Sequence, residues 1–308
     1  MRTWRFHLPA TWLAAGLLFP ALFQVNPLLS QPAGWLSWRG PSANGSIIDN
    51  TLNQNSFRTI GAVLWQTNVG TGHSAVAVQG NRVYTMGNRE EAGDQFSDQV
   101  VCLNAETGKL IWQVTYPMKE LEDPGPFSTP VVDGSRVYTI SRGGKLSCFD
   151  ALTEACLWEN DLVTRNLTSA EAEFACSPLI VGDMVILNVN ERGLALNKLT
   201  GQPVWTSAPG ENAVSTSVLF TWNGRTCVTM QTDTDKTFAL DPATGEVLWS
   251  VPESYTELAG KQVIEMAPTD AKGRGYRRVC ACWPNPVYCD HKLYIRNSYG
   301  ELVCLEVR

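Results

Sequence analysis

Leu103-Asn-Ala-Glu-Thr-Gly-Lys-Leu-Ile-Trp112 decides the fold, because the chain repeats it. It returns as Phe149-Asp-Ala-Leu-Thr-Glu-Ala-Cys-Leu-Trp158, Leu196-Asn-Lys-Leu-Thr-Gly-Gln-Pro-Val-Trp205 and Leu240-Asp-Pro-Ala-Thr-Gly-Glu-Val-Leu-Trp249. With Trp65 included, the tryptophans stand 47, 46, 47 and 44 residues apart. So regular a period marks one supersecondary unit copied along the chain, and the copies must stack to share a core.

Each phrase reads as a β-hairpin. A short apolar strand leads in, as in Val100-Val-Cys-Leu103. Asn104, Asp150, Asn197 or Asp241 then accepts hydrogen bonds from backbone groups ahead of it. Gly108, Gly201 or Gly245 supplies the positive-φ position that closes the turn, and the chain runs back as a strand ending in Trp. Glu154 stands where the other copies have Gly, which predicts a strained or altered turn.

A second phrase precedes each hairpin: Val76-Ala-Val-Gln-Gly-Asn-Arg-Val-Tyr84, Pro130-Val-Val-Asp-Gly-Ser-Arg-Val-Tyr138, Pro178-Leu-Ile-Val-Gly-Asp-Met-Val-Ile186 and Pro286-Val-Tyr-Cys-Asp-His-Lys-Leu-Tyr294. A looser copy spans Ser217 to Met230, with Asn223-Gly224 at its turn. Each is strand, tight turn, strand. One repeat is therefore four antiparallel strands in about 45 residues, the pattern of a β-propeller blade. The fold class is all-β, a propeller of five recognisable blades, six at most. Trp65, Trp112, Trp158, Trp205 and Trp249 are expected to pack between adjacent sheets rather than to do chemistry.

Trp65 lies in a fourth-strand phrase with no blade before it, while Leu302-Val-Cys-Leu-Glu-Val307 is a third-strand phrase with no Trp after it. The expectation is that the N-terminal strand completes the last blade and closes the ring without leaving sheet edges.

These phrases resemble the repeats of the pyrroloquinoline-quinone-type β-propellers, which include quinoprotein alcohol dehydrogenases and BamB-like outer-membrane assembly proteins. Trp35-Leu-Ser-Trp-Arg-Gly-Pro-Ser-Ala-Asn-Gly45 and Gly70-Thr-Gly-His-Ser74 are similar to segments of secreted bacterial members. The resemblance covers about residues 35–308 and is far more specific for fold than for function. Such relatives usually carry seven or eight blades. Residues 250–284 lack a clean repeat and read as a decayed sixth blade, an insertion or the scar of a deletion.

Composition narrows the classes. Net charge is −6 and no basic run exceeds Arg277-Arg278, which argues against a nucleic-acid partner. Arg2 and Arg5, the apolar run Leu8 to Phe23 and a polar stretch follow the order of a secretory signal. Residues 1–33 are thus expected to be a signal peptide, with an uncleaved membrane anchor as the alternative, and 34–308 one propeller domain that is exported to the periplasm or cell surface. Of the nine cysteines, Cys102, Cys148 and Cys304 hold one third-strand position in three blades, too far apart to pair. Cys280, Cys282 and Cys289 are candidates for one disulfide among them or, less well, a metal site.

A site is expected at a channel mouth, where the innermost strands begin. Aligning the repeats sets Ser74, Ser128, Cys176 and Thr216 in one row and Ala75, Thr129, Ser177 and Asn285 in the next. His73, Ser74, Ser128, Thr129, Ser177 and Asn285 are the candidate ligand-binding residues; a ring of hydroxyl and amide groups suits a polar ligand or a solvated rim. Glu120, Glu122 and Asp123 form an acidic loop nearby. The resemblance to quinoprotein dehydrogenases implies a quinone cofactor, Ca²⁺, a catalytic Asp and often adjacent cysteines. No two cysteines are adjacent here. The expected function is therefore a non-catalytic scaffold without cofactor, binding a protein or polysaccharide. The alternative is a dehydrogenase with pyrroloquinoline quinone and calcium.

Overall fold

A computed structural model describes residues 34–41, 43, 45, 60–91, 95–118, 125–169, 174–210, 215–231, 237–251 and 287–307. Every regular element among them is a strand. No helix among them is long and apolar enough to cross a membrane.

The first two strands, β1 (Gly34–Trp35) and β2 (Ile60–Asn68), belong to different sheets. Blade 1 is β3 (Ala77–Gln79), β4 (Arg82–Glu91), β5 (Gln95–Asn104) and β6 (Leu110–Met118). Blade 2 is β7 (Val131–Asp133), β8 (Arg136–Ile140), β9 (Lys145–Asp150) and β10 (Cys156–Asp161). Blade 3 is β11 (Leu179–Val181), β12 (Met184–Leu187), β13 (Leu194–Asn197) and β14 (Pro203–Thr206). Blade 4 is β15 (Leu219–Trp222), β16 (Arg225–Gln231), β17 (Thr237–Leu240) and β18 (Val247–Val251). Blade 5 takes β19 (Val287–Cys289), β20 (Lys292–Arg296) and β21 (Glu301–Val307) from the end of the described chain. Its fourth strand is β2, with Trp65 opposite Cys304 and Thr67 opposite Leu302. The closure expected from the orphan Trp65 and the truncated last repeat is thus present.

Local chemistry explains why each blade folds as it does. The first turn of each repeat needs positive φ, supplied by Gly80, Gly134 and Gly182, by Asn223-Gly224, and by Asp290-His291. In the second turn, the Asn104 carboxamide oxygen accepts from the Glu106 and Thr107 amides, and Asp150 accepts from Leu152 and Thr153 in the same way. Glu154 sits at φ 62, the left-handed conformation its position demands. It pays for that conformation with strain of about 1–2 kcal/mol that glycine avoids.

The tryptophans fasten each blade to the next. Trp65 Nε1 donates to the Ala105 carbonyl at 2.9 Å, Trp112 to Ala151 at 3.3 Å, Trp158 to Lys198 at 2.9 Å and Trp205 to Pro242 at 2.9 Å. Each acceptor follows the Asx residue of the neighbouring turn. The turn glycine explains the close approach: a Cβ on Gly108 would lie 2.5 Å from the Trp65 ring, and one on Gly201 2.7 Å from Trp158. Glu154 carries that Cβ, and the indole bond in its seam is the longest of the four. Trp249 differs again, because its buried Nε1 has no acceptor among the described residues.

Beneath the tryptophans the blades share apolar cores, such as Tyr138, Ile140 and Leu146 against Val185, Leu187 and Leu196. Cys102, Cys148 and Cys304 lie in these cores as free thiols, and burial pushes Cys102 and Cys304 up to about 12. They act as small apolar residues. Cys289 is also a free, buried thiol, while Cys280 and Cys282 fall outside the described residues.

Candidate functional site

The innermost strands β3, β7, β11, β15 and β19 are each at one end of a blade, and the chain enters each from the same face. Of the candidate residues, His73, Ser74, Ser128, Thr129 and Ser177 sit just before β3, β7 and β11. Thr129 and Ser177 take part in a second set of blade-to-blade fastenings. The Ala75 amide donates to Thr129 Oγ1 at 3.1 Å, the Thr129 amide to Ser177 Oγ at 2.9 Å, and the Ser177 amide to Thr216 Oγ1 at 2.9 Å. Thr216 therefore belongs to the row of Thr129 and Ser177, one position later than the sequence alignment placed it. The reason is physical: a buried backbone N–H must find an acceptor, and the next blade's hydroxyl is the one in reach.

Ser74 is wholly buried and donates to the Ala75 carbonyl at 3.0 Å while accepting from the Met86 amide at 3.2 Å. Its hydroxyl is spent on backbone, so the His73–Ser74 pair is not arranged as base and nucleophile. His73 instead stacks on Phe127, with centroids 4.9 Å apart and planes 16° from parallel. Both rings are half-buried, leaving a partly exposed aromatic platform at the mouth. Ser128 is buried, and its Oγ has no hydrogen-bond partner among the described residues. Asn285, Glu120, Glu122 and Asp123 lie outside the described residues.

Three charged groups near this face escaped the sequence reading. Asp98 on β5 is 0% exposed; its Oδ1 accepts from Asn88 Nδ2 at 2.8 Å and meets Arg142 Nη2 at 3.4 Å, and its Oδ2 has no partner among the described residues. Arg296 on β20 is 2% exposed. Its Nη1 donates to the Ser74 and Met86 carbonyls, both at 2.6 Å, and to Thr85 Oγ1 at 2.8 Å; its Nη2 donates to the Gly70 carbonyl at 2.9 Å. Burial lowers its guanidinium to about 9. The hydroxyl belt is broken at Ala75, which has no side-chain oxygen for blade 5, and Arg296 bridges that seam instead. A signal for it existed: opposite Leu302, Arg296 holds the position that Met86 and Ile140 hold in blades 1 and 2.

At the opposite end of the innermost strands, the segment carrying β1 packs against blades 1, 2 and 5. β1 adds a fifth strand to the inner edge of β3, pairing Gly34 with Gln79 and Trp35 with Val78. The Leu36 carbonyl accepts from the Val132 amide of blade 2 at 2.8 Å, and Trp35 is buried in one cluster with Val287 and Cys289 of blade 5.

The fit of a quinone with Ca²⁺ can be tested on these donors. Ca²⁺ takes six to eight oxygens, with carboxylates prominent. Among the described residues Asp98 is the only buried carboxylate, and the Arg142 guanidinium beside it opposes a second cation. No group of three His, Cys, Asp or Glu among them could hold a metal. The described residues do not fit the cofactor pair.

No curated protein matches the sequence. Among solved structures, BamB from Moraxella catarrhalis is 17% identical, covering 77% of this chain and 84% of that one, with a TM-score of 0.35. A europium-containing methanol dehydrogenase is 15% identical over 72% of this chain, with a TM-score of 0.46. The quinohemoprotein alcohol dehydrogenase from Comamonas testosteroni is 12% identical over 86% of this chain, with a TM-score of 0.48. The chain spans 58% of the length of each dehydrogenase. A family model matches residues 55–128 and 97–308, which together take in most of the sequence, and by that match the chain belongs to the PQQ-like propeller-repeat family described as "Outer membrane protein assembly factor BamB".

Proposed function

We propose that this propeller is an exported, non-catalytic scaffold that binds a protein or polysaccharide partner through blade loops at the mouth carrying His73. The observation that carries this reading is the hydroxyl belt. Thr129, Ser177 and Thr216 give their oxygens to neighbouring blades, so recognition falls to what projects beyond them. Three features project. β4 and β5 are ten residues each against four for β12 and β13, so the hairpin of blade 1 stands well above its neighbours. The loop after β10 exposes Thr164, Arg165 and Asn166. Tyr299, 66% exposed, tips the turn between β20 and β21. With the His73–Phe127 platform, these offer aromatic faces and polar donors, the groups that recognise sugars and peptides. The apolar leader and the relationship to an outer-membrane assembly family support export.

The test is reconstitution of the purified protein with pyrroloquinoline quinone and Ca²⁺, followed by alcohol-dependent dye reduction. The scaffold reading expects no turnover above the protein-free control. Sustained turnover that is lost on chelation overturns it in favour of the dehydrogenase.

A further inference from the structure

Blade 1 is complete without β1. Strands β3 to β6 repeat the four-stranded plan of the other blades, and β1 is the only supernumerary strand among the described residues. It occupies the axial edge of the innermost strand, an edge to which no strand pairs in blades 2 to 5 among the described residues. Such an edge is a row of backbone donors and acceptors ready to pair with an extended chain.

The seat is specific. Trp35 is buried among Val76, Val78, Val287 and Cys289. Leu36 packs on the cluster that holds Ala77 and Val132. Gly34 lies so close that a Cβ there would meet the Val78 carbonyl oxygen at 2.5 Å. Gly40, at φ 74, folds the backbone back over the Trp35 ring, where a Cβ would clash at 2.9 Å. The occupant is held by a two-residue ladder, one bond to blade 2 and two side chains, against ten paired residues between β4 and β5.

We propose that this axial groove, walled by β19, β3 and β7, is a strand-addition site, and that residues Gly34–Gly40 are its built-in, displaceable occupant. The ligand it fits is an extended peptide carrying an unhindered glycine, then an aromatic and an aliphatic residue, the order Gly34-Trp35-Leu36. An intramolecular occupant competes with such a peptide at high effective concentration, so the groove opens only when the segment leaves. This holds whether the mouth loops serve a scaffold or an enzyme.

The experiment uses the full-length chain with Trp35→Ser and Leu36→Ser together, and a fluorescein-labelled peptide Gly-Trp-Leu-Ser-Trp-Arg-Gly-Pro followed by anisotropy. The expected result is a variant that melts in one transition and binds the peptide saturably. Binding to the unaltered chain is expected to be at least about tenfold weaker, since its own segment competes. A peptide with Val for the first Gly should not bind. A cooperatively folded variant that binds no peptide overturns the proposal, and so does a variant that no longer melts cooperatively, because the segment would then be structural. Hydrogen exchange on the unaltered protein gives a separate reading. The Val132 amide, bonded to Leu36, should exchange at least about tenfold faster than amides between β8 and β9. Equal rates overturn it.

Discussion

At the rim of the ring, Trp65, Trp112, Trp158 and Trp205 each press an indole onto the next blade's turn and donate one hydrogen bond. Toward the axis, Thr129, Ser177 and Thr216 each accept one backbone hydrogen bond from the preceding blade. The two fastenings share the three seams between blades 1 and 4, but the rim contact is mainly buried area with a polar handle, whereas the inner one is polar. The rim thus carries most of the seam energy. The inner belt fixes how the strands line up, because an unmatched buried amide penalises every other arrangement.

The largest effect is expected at the rim. Trp112→Ala should lower stability by about 3–5 kcal/mol in urea denaturation, as deletions of large buried aromatics do. Trp249→Ala should cost less than half as much, about 1–2 kcal/mol, since Trp249 is half-buried and its Nε1 has no acceptor among the described residues. Equal losses would mean that the indole bond and the glycine seat add little. At the belt, Thr129→Val keeps the shape and strands the Ala75 amide, so a loss of about 1–3 kcal/mol is expected. A neutral result would show that the belt is dispensable. Smaller still, Glu154→Gly should raise stability by about 1 kcal/mol by relieving positive φ and letting Trp112 settle closer to Ala151.

The smallest effect is titratable. Bonds from the Thr153 hydroxyl and from the Leu152 and Thr153 amides hold the Asp150 carboxyl below its ordinary value. Bonds from the Ala243 amide and Arg225 do the same for Asp241. A lowered folded-state value means stability that is present above the unfolded value and lost as pH falls through the folded one. Asn104 and Asn197 occupy the same place in blades 1 and 3 and do not titrate. The double variant Asp150→Asn, Asp241→Asn should therefore flatten the fall in urea midpoint between about pH 5 and pH 2. An unchanged slope would locate the acid sensitivity elsewhere.

What was legible in the sequence was what repeats. The tryptophan period revealed the blades, the Asx and Gly positions revealed the turns, the single Glu154 revealed its own strain, and the mismatch between Trp65 and Val307 revealed the closure. The hydroxyl rows were visible as rows, but spacing alone cannot say whether an oxygen faces the axis or the next blade. Asp98, Arg142 and Arg296 went unseen because each occurs once, and a repeat reading treats a single exception as noise. The burial of Trp35 at the axis was hidden for the opposite reason: that segment belongs to no repeat, so no register could place it.

Ring closure by β2 also sets a timetable. Gln66 and Glu301 meet across 235 positions of chain, so blade 5 cannot assemble until all the intervening residues have been made. Bringing such distant ends together costs on the order of 5 kcal/mol in loop entropy before any contact rewards it. Blades 1 to 4 are built from neighbours and can form as the chain emerges, while β2 waits as an unpaired edge bearing exposed Val63 and Leu64. The interval before β21 arrives is the time at which this protein is most open to aggregation or to a chaperone.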